Sequence, residues 1–289
     1  MARFVWPMGI CLLVLGTGAV AGEAARPPAV AGAFYPEQPD RLRAAVRFFL
    51  DAAVPAQPER PLALIAPHAG YVYSGQIAAD AYRQVQDREY DVVVILGVNH
   101  KAAGFGGISV YQGPGYRTPL GTAACDRELA AALATADRRF AHDPRADRQE
   151  HSVEVQVPFV QTVLPEVPIV AVVVGGGDRD LWRAFARTLA RALDGRRALI
   201  VASSDLSHYP NHDDALASDR AVVAAIARLD PDLVAATVAA EMRRNRPGQV
   251  TCACGEGPVA IALEAARVLG ATRASVLSCV NSGDTALGD

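Results

Sequence analysis

The chain has 289 residues, 51% hydrophobic and 20% charged, with a formal net charge of −3 at pH 7. That composition supports a folded protein with a sizeable core, in one domain or two small ones, and argues against a disordered or fibrous chain. The mildly acidic balance gives no electrostatic basis for binding nucleic acid or an anionic membrane surface.

The first residues form a unit of their own. Arg3 gives a weakly positive start, Val5 to Val20 is nearly all apolar or small, and Ala19-Val20-Ala21 fits a small-residue cleavage site before Gly22. Residues 1–21 therefore read as a secretory signal peptide and residues 22–289 as the mature domain, exported to the periplasm. The competing reading is a retained anchor, because the apolar stretch approaches spanning length. Cleavage would leave no stable membrane insertion. The four remaining cysteines, Cys125, Cys252, Cys254 and Cys279, are too few for a disulfide scaffold. A free thiol in an oxidising compartment calls for a reason, and metal ligation is one.

Pro27 to Pro39 is a Pro- and Gly-bearing lead-in. Asp40 then caps a helix whose apolar face is Leu42, Val46, Phe49 and Leu50. The apolar run 62–65 reads as a strand that delivers Ala66-Pro67-His68-Ala69-Gly70-Tyr71, and Ser74 opens a helix with Ile77, Ala81 and Val85 inward. Residues 92–96 form a second strand, ending in Gly97-Val98-Asn99-His100. A short strand spans Ile108 to Tyr111, Tyr116 to Gly121 reads as loop, and Asp126 caps a helix through Leu129 and Leu133. Asp137 to Gln149 is densely charged and reads as a solvated loop. Within Glu150 to Pro158, Val153, Val155 and Val157 alternate like a strand, but Val153, Val157, Val160 and Leu164 fit a helix, which is the reading preferred.

Pro168 to Val174 is a buried strand, and Asp178 caps a helix with Leu181, Trp182, Phe185 and Leu189 inward. The strand 198–202 ends in Ser203-Ser204-Asp205-Leu206-Ser207-His208. Asp213 to Ala240 is helical, broken at Asp230-Pro231. Asn245 to Val250 reads as loop, Thr251 to Pro258 leads into a helix with Pro258 at its first position and Gly270 at its end, and Ser275 to Val280 is a last strand. Strands alternating with helices give a single α/β domain with a central mixed or parallel sheet flanked by helices.

Three apolar strands each deliver a histidine just past their ends: His68, His100 and His208. Open α/β sheets carry their sites there. Imidazole suits zinc, copper and iron. Cys254 stands before a helix N-terminus, where the dipole favours thiolate. His68, His100 and Cys254 would make a metal site with open positions. A lone histidine is more often a satisfied core residue; the shared placement of three shifts that balance. Asp205 beside His208 would orient the ring for acid/base work, unless Asp205 or Ser207 simply caps the next helix. His151 and Glu154 would meet on one helical face. His142 and His212 read as surface residues, and Tyr71 and Tyr73 as pocket or core edge. Cys252-Ala253-Cys254 would lose its ligand role if it closed into a strained disulfide.

Six motifs in order resemble one family. They are Ala66 to Tyr71, Ile95-Leu96-Gly97 through His100, Tyr116 to Gly121, Glu150-His151-Ser152-Val153-Glu154, Ser203 to His208, and Cys254-Gly255 with Pro258. Together they resemble the Memo family, whose bacterial members are called AmmeMemoRadiSam system protein B, over nearly all of the mature chain. The family is similar in fold to the LigB-type extradiol dioxygenases. The resemblance implies one non-haem iron or copper ion per chain, bound by His68, His100 and Cys254, with Asp205, His208 and His151 in the same pocket. The dioxygenases use two histidines and a carboxylate; Cys254 in the third place makes the site softer and oxidisable. Glu256 would be the carboxylate alternative.

The reading these features favour is a redox or oxygen-handling metal protein acting on dioxygen or a small molecule, with His208 and Asp205 moving protons. A non-enzymatic module binding a ligand or peptide on the same fold is the second reading. An extradiol-type dioxygenase or metal hydrolase is the third.

Overall fold

The computed structural model describes residues 24–284, so the expected signal peptide lies outside the described residues. In chain order the first half contains α1 (Pro39–Asp51), β1 (Ala63–Ala66), α2 (Tyr71–Arg83), β2 (Val92–Val98), β3 (Ile108–Val110), β4 (Gly115–Thr118), β5 (Gly121–Ala124) and α3 (Arg127–Ala136). The second half contains α4 (Pro144–Asp147), α5 (Val157–Val163), β6 (Ile169–Val174), α6 (Arg179–Leu193), β7 (Ala198–Ser203), α7 (His212–Ile226), α8 (Pro231–Met242) and α9 (Glu256–Val268).

The continuous apolar runs become strands buried on both faces. The sheet order is β1-β7-β2-β6-β3. The first four strands are parallel and β3 runs antiparallel to β6, so the sheet is mixed, as expected. Alternation along each strand divides the core into two layers. Val92, Val94 and Leu96 pack with Leu181, Phe185, Leu189 and Ile261 on one face. Val93 and Ile95 pack with Leu42, Val46, Tyr82 and Phe159 on the other. This is a single α/β domain with helices on both faces of one sheet.

The topology places the chemistry. β1, β7 and β2 are neighbours and parallel, so their C-terminal ends share one edge. Pro67-His68, Ser204 to His208, and Asn99-His100 all emerge there. The turn through Glu154–Gln156 crosses the end of β2, where Ser152 Oγ donates to Val98 O and accepts from Val98 N–H, both at 3.0 Å. A Cβ on Gly97 would lie 2.5 Å from Ser152 Oγ, so only glycine allows this crossing.

Two helix starts follow their expected caps: Asp126 accepts from Leu129 N–H and Asp178 from Leu181 N–H. Asp230, read as a break, caps α8 by accepting from Asp232 and Leu233 N–H. Asp40 does not cap α1; it lies within the first turn of a helix that Pro39 starts. Other readings are corrected. Tyr116 to Gly121 is part of a hairpin of β4 and β5, because Gly121, at φ +123°, turns the chain and the Tyr116 ring is buried under Arg26. Asp137 to Gln149 is not wholly solvated. It holds α4 and buries Phe140, Ala146 and Asp147 among exposed Arg and Asp residues. Ser275 to Val280 forms no strand, since the only described partner of β1 is β7. Helix α2 starts at Tyr71, not Ser74, whose hydroxyl instead bonds Ala69 O. Pro258 occupies the third position of α9, still within the first turn where its missing N–H costs nothing.

Candidate metal centre

His68 is buried. Its Nδ1 is 3.0 Å from Ser203 Oγ. That hydroxyl donates its one proton to Ser152 O at 2.6 Å and accepts from Gln156 Nε2 at 2.8 Å. Ser203 must therefore accept from His68 Nδ1–H, which fixes the tautomer and leaves Nε2 with a free lone pair. Cys254 Sγ lies 3.2 Å from that Nε2.

His100 is fixed in the same way by a carboxylate. Glu150 Oε1 accepts from His100 Nδ1 at 2.9 Å, and Oε2 accepts the His100 backbone N–H at 2.7 Å. Oε1 also accepts the N–H groups of His151 and Ser152 at 2.9 and 2.8 Å, and faces His151 Nδ1 at 3.3 Å. Burial alone would raise the Glu150 carboxyl. The bonds and charge of His100 and the backbone N–H groups outweigh it and bring the pKa down to about 2. The carboxylate is thus ionised, and His100, bonded to it through Nδ1, keeps Nε2 free. Burial pushes His151 down to about 4 and also lowers His68, so both rings are neutral near pH 7, the form that ligates.

Asp205 leaves β7 and turns its Oδ1 onto the backbone N–H groups of His68 and Ala69, at 2.7 and 3.3 Å. Its Oδ2 faces His68 Nε2 at 3.8 Å and His208 Nε2 at 3.9 Å. That is ion-pair range without a hydrogen bond. Asp205 caps no helix; α7 is capped by Asn211. The Cys254 loop is tied to the same strand end. His208 and Thr251 form a bridge, Asp205 N–H points at Cys254 Sγ at 3.3 Å, and Gly255 N–H donates to Ser204 Oγ. Burial and the Asp205 charge push the Cys254 thiol up to about 12. The expected preference for thiolate at the start of α9 is therefore outweighed by desolvation, and a cation is what would release the proton.

His68, Asp205 and Cys254 offer donor atoms within 4.8 Å of one another, and so do His68, His100 and His151. The donor set fits a transition metal: bare imidazole nitrogens, a thiol and a carboxylate, with hydrogen-bonded partners behind them. Cys252 and Cys254 are both free, and the Cys252 thiol points at Val238 O. Glu256 faces Arg179 at 3.6 Å and is no ligand candidate. Glu154 does not meet His151. It is buried and accepts from Arg26, Tyr35 and the backbone of Ala29 and Val30, fastening the lead-in to the turn after His151. His142 is no free surface residue, since its Nε2 lies 3.0 Å from Asp147; His212 is half exposed.

The Memo-like protein family matches residues 26–289. The chain is 36% identical over 262 residues to a MEMO1 family protein of Aquifex aeolicus, covering 90% of this chain and 93% of that one. It is 37% identical over 269 residues to a MEMO1 family protein of Methanothermobacter thermautotrophicus, covering 90% and 94%. The chain belongs to the Memo-like family. In this member, Glu150, Ser203 and Gln156 are the site residues that sequence reading left without a role. The adjacency Glu150-His151 was the available signal for the first. A serine at a strand end carries none.

Beside the centre lies a cleft of about 1240 Å³. It runs from Asp205 and His208 past Tyr73 and Ile77 to the edge of β1, and residues 271–283 form its outer wall. Tyr71 is not part of it; that ring is core, with its hydroxyl on Val155 O. No helix among the described residues is long and apolar enough to cross a membrane.

Proposed function

We propose that this Memo-like protein is a metal-dependent redox protein holding one iron or copper ion with His68, His100 and Cys254. The observation that carries the reading is the contact between Cys254 Sγ and the bare Nε2 of His68, with His68 Nδ1 committed to Ser203. A bound ion would supply one-electron chemistry toward dioxygen or a small reductant.

The chain's own residues supply the rest. Ser203 and Glu150 hold the ligating rings at their Nδ1 atoms. Asp205 pins the loop that carries His68, and its second oxygen faces His208 across 3.9 Å. His208 is partly exposed and lines the cleft, so it can exchange protons with a molecule seated there. The cleft has room for an organic substrate beside the centre. Its size also favours the second reading, a ligand-binding module in which the metal is structural.

The test is dioxygen consumption by protein loaded with iron(II) or copper(I), beside His208→Ala. Uptake that falls in the variant while metal content holds supports a redox role with His208 as proton carrier. No uptake from any loaded form, with small molecules still binding in the cleft, favours the binding module. We further propose that the chain is exported. The charge and apolar pattern of residues 1–21 supports this, and the family match begins after it, at residue 26. A mature protein isolated from the producing cell and starting at Gly22 would agree; one starting at Met1 would not.

A further inference from the structure

On one side the sheet ends at β1, and the cleft lies along that edge. In a parallel pair the peptide groups of alternate residues turn to opposite sides. Leu62 O and Ala66 O accept from Ile200 and Ser204 N–H of β7. The N–H and C=O groups of Ala63 and Ile65 therefore turn the other way, into the cleft that both residues line. Helix α2 bounds the cleft through Ile77 and Ala81; α7 and α9 bound it through Ile226 and Leu263. These helices belong to the layers on opposite faces of the sheet. A space floored by a strand edge and bounded by both helical layers has the shape of one more strand position.

The chain runs a suitable segment past that position. After α9 it turns at Gly270, φ +100°, and Arg273 pairs with Glu59, shortly before β1. At the far end Asn281 Nδ2 and Asp284 Oδ1 reach His212, at 3.2 and 3.9 Å, where α7 begins beyond the C-terminal end of β7. The segment between these contacts is held at both ends and runs parallel to β1. Among the described residues, no backbone hydrogen bond joins 272–280 to the rest of the chain. Ser275-Val276-Leu277-Ser278-Cys279-Val280 has the length and composition of a short strand. Leu277 packs against the layer of Leu64 and Tyr82, which sets the alternation: in a strand, Val276 and Val280 would point to the other layer, toward Ile226 and Leu263. Here they are 54% and 45% exposed.

We propose that residues 275–280 are a strap that closes onto β1 as a sixth, parallel strand and fills the cleft, this structure being the open form. Arg273 and the His212 contacts clasp its two ends and keep its register. Closing pairs the outward groups of Ala63 and Ile65, buries the two valines and covers an exposed sheet edge. The strap and a molecule seated in the cleft compete for one space, so the cleft admits a ligand only in the open form. The device needs neither a bound metal nor a catalytic role for the centre.

The experiment is amide hydrogen exchange on the full chain and on the double variant Val276→Asp/Val280→Asp, with binding of the apolar dye anilinonaphthalene sulfonate measured on both. Both positions are exposed in the open form, so the variant leaves that form alone and puts two charges into the core of the closed one. In the parent, exchange of Ala63, Ile65 and alternate amides of 275–280 should be slowed by about 10-fold or more. In the variant those amides should exchange at unprotected rates, with β2 and β6 protected equally in both proteins, and the dye should bind about 10-fold tighter. Unprotected 275–280 amides in the parent overturn the strap, a result that needs no variant to fold. Protection unchanged in the double variant overturns it as well, and dye affinities within about 2-fold of each other overturn its control of the cleft.

Discussion

Glu150→Gln isolates the carboxylate that organises the site. The side chain is the same size, so packing is kept and only charge and one acceptor change. Glu150 accepts four hydrogen bonds, from the ring and backbone of His100 and the backbone of His151 and Ser152. In the variant an amide NH₂ must face one of those donors. Losing a charge-assisted bond and leaving a buried donor unpaired costs roughly 3 kcal/mol. The depressed carboxyl gives a similar figure by a separate route. A carboxyl brought from 4.5 to about 2 corresponds to roughly 3 kcal/mol at about 1.4 kcal/mol per unit. For a domain this size that is a fall in Tm of roughly 6–12 °C. Freed Nδ1 atoms should also weaken metal binding by about 10- to 100-fold. The assays are thermal unfolding of the metal-free protein and competitive metal titration. A Tm within about 2 °C of the parent together with unchanged affinity would refute the role given to Glu150.

Glu154→Gln breaks the buried pair with Arg26, whose partners are 2.7 Å apart and 4% and 0% exposed; chemical denaturation should show a loss of about 3–5 kcal/mol. Gly97→Ala drives a methyl into Ser152 and Val153, with an expected cost of about 1–3 kcal/mol and weaker metal binding from displacement of the 150–153 segment. The metal-free protein should lose stability as pH falls. His151, depressed to about 4, contributes fully above its unfolded value near 6.5 and progressively less down to 4. Glu150 adds a second decline from about 4.5 toward 2. Denaturation midpoints between pH 7.5 and 4.5 check the first, and a flat profile there would contradict it.

The sheet was legible because its strands are unbroken apolar runs. Residues 92–98 and 169–174 have no polar position and had to be buried on both faces. The histidines were legible because each follows such a run. The centre's supporting residues were not. Glu150 sits in a stretch dominated by exposed charge, and its burial depends on Gly97 letting the 150–153 turn cross β2. Glu154 carries the right spacing to meet His151, but the lead-in from Arg26 to Tyr35, more than a hundred residues earlier, claims its carboxylate. The run 275–280 has strand composition, yet pairing needs a partner, and that is a property of the fold. The Cys254 thiol shows the same limit: helix position argued for thiolate, while burial, invisible in sequence, argues harder the other way.

The most direct test of the metal centre is elemental analysis of the chain from Gly22, purified under reducing, anaerobic conditions, beside His68→Ala and Cys254→Ser. The account predicts near-stoichiometric iron or copper in the parent and neither metal retained in His68→Ala or Cys254→Ser, with all three folded. A folded parent that holds neither metal, even after both are added back, would contradict it.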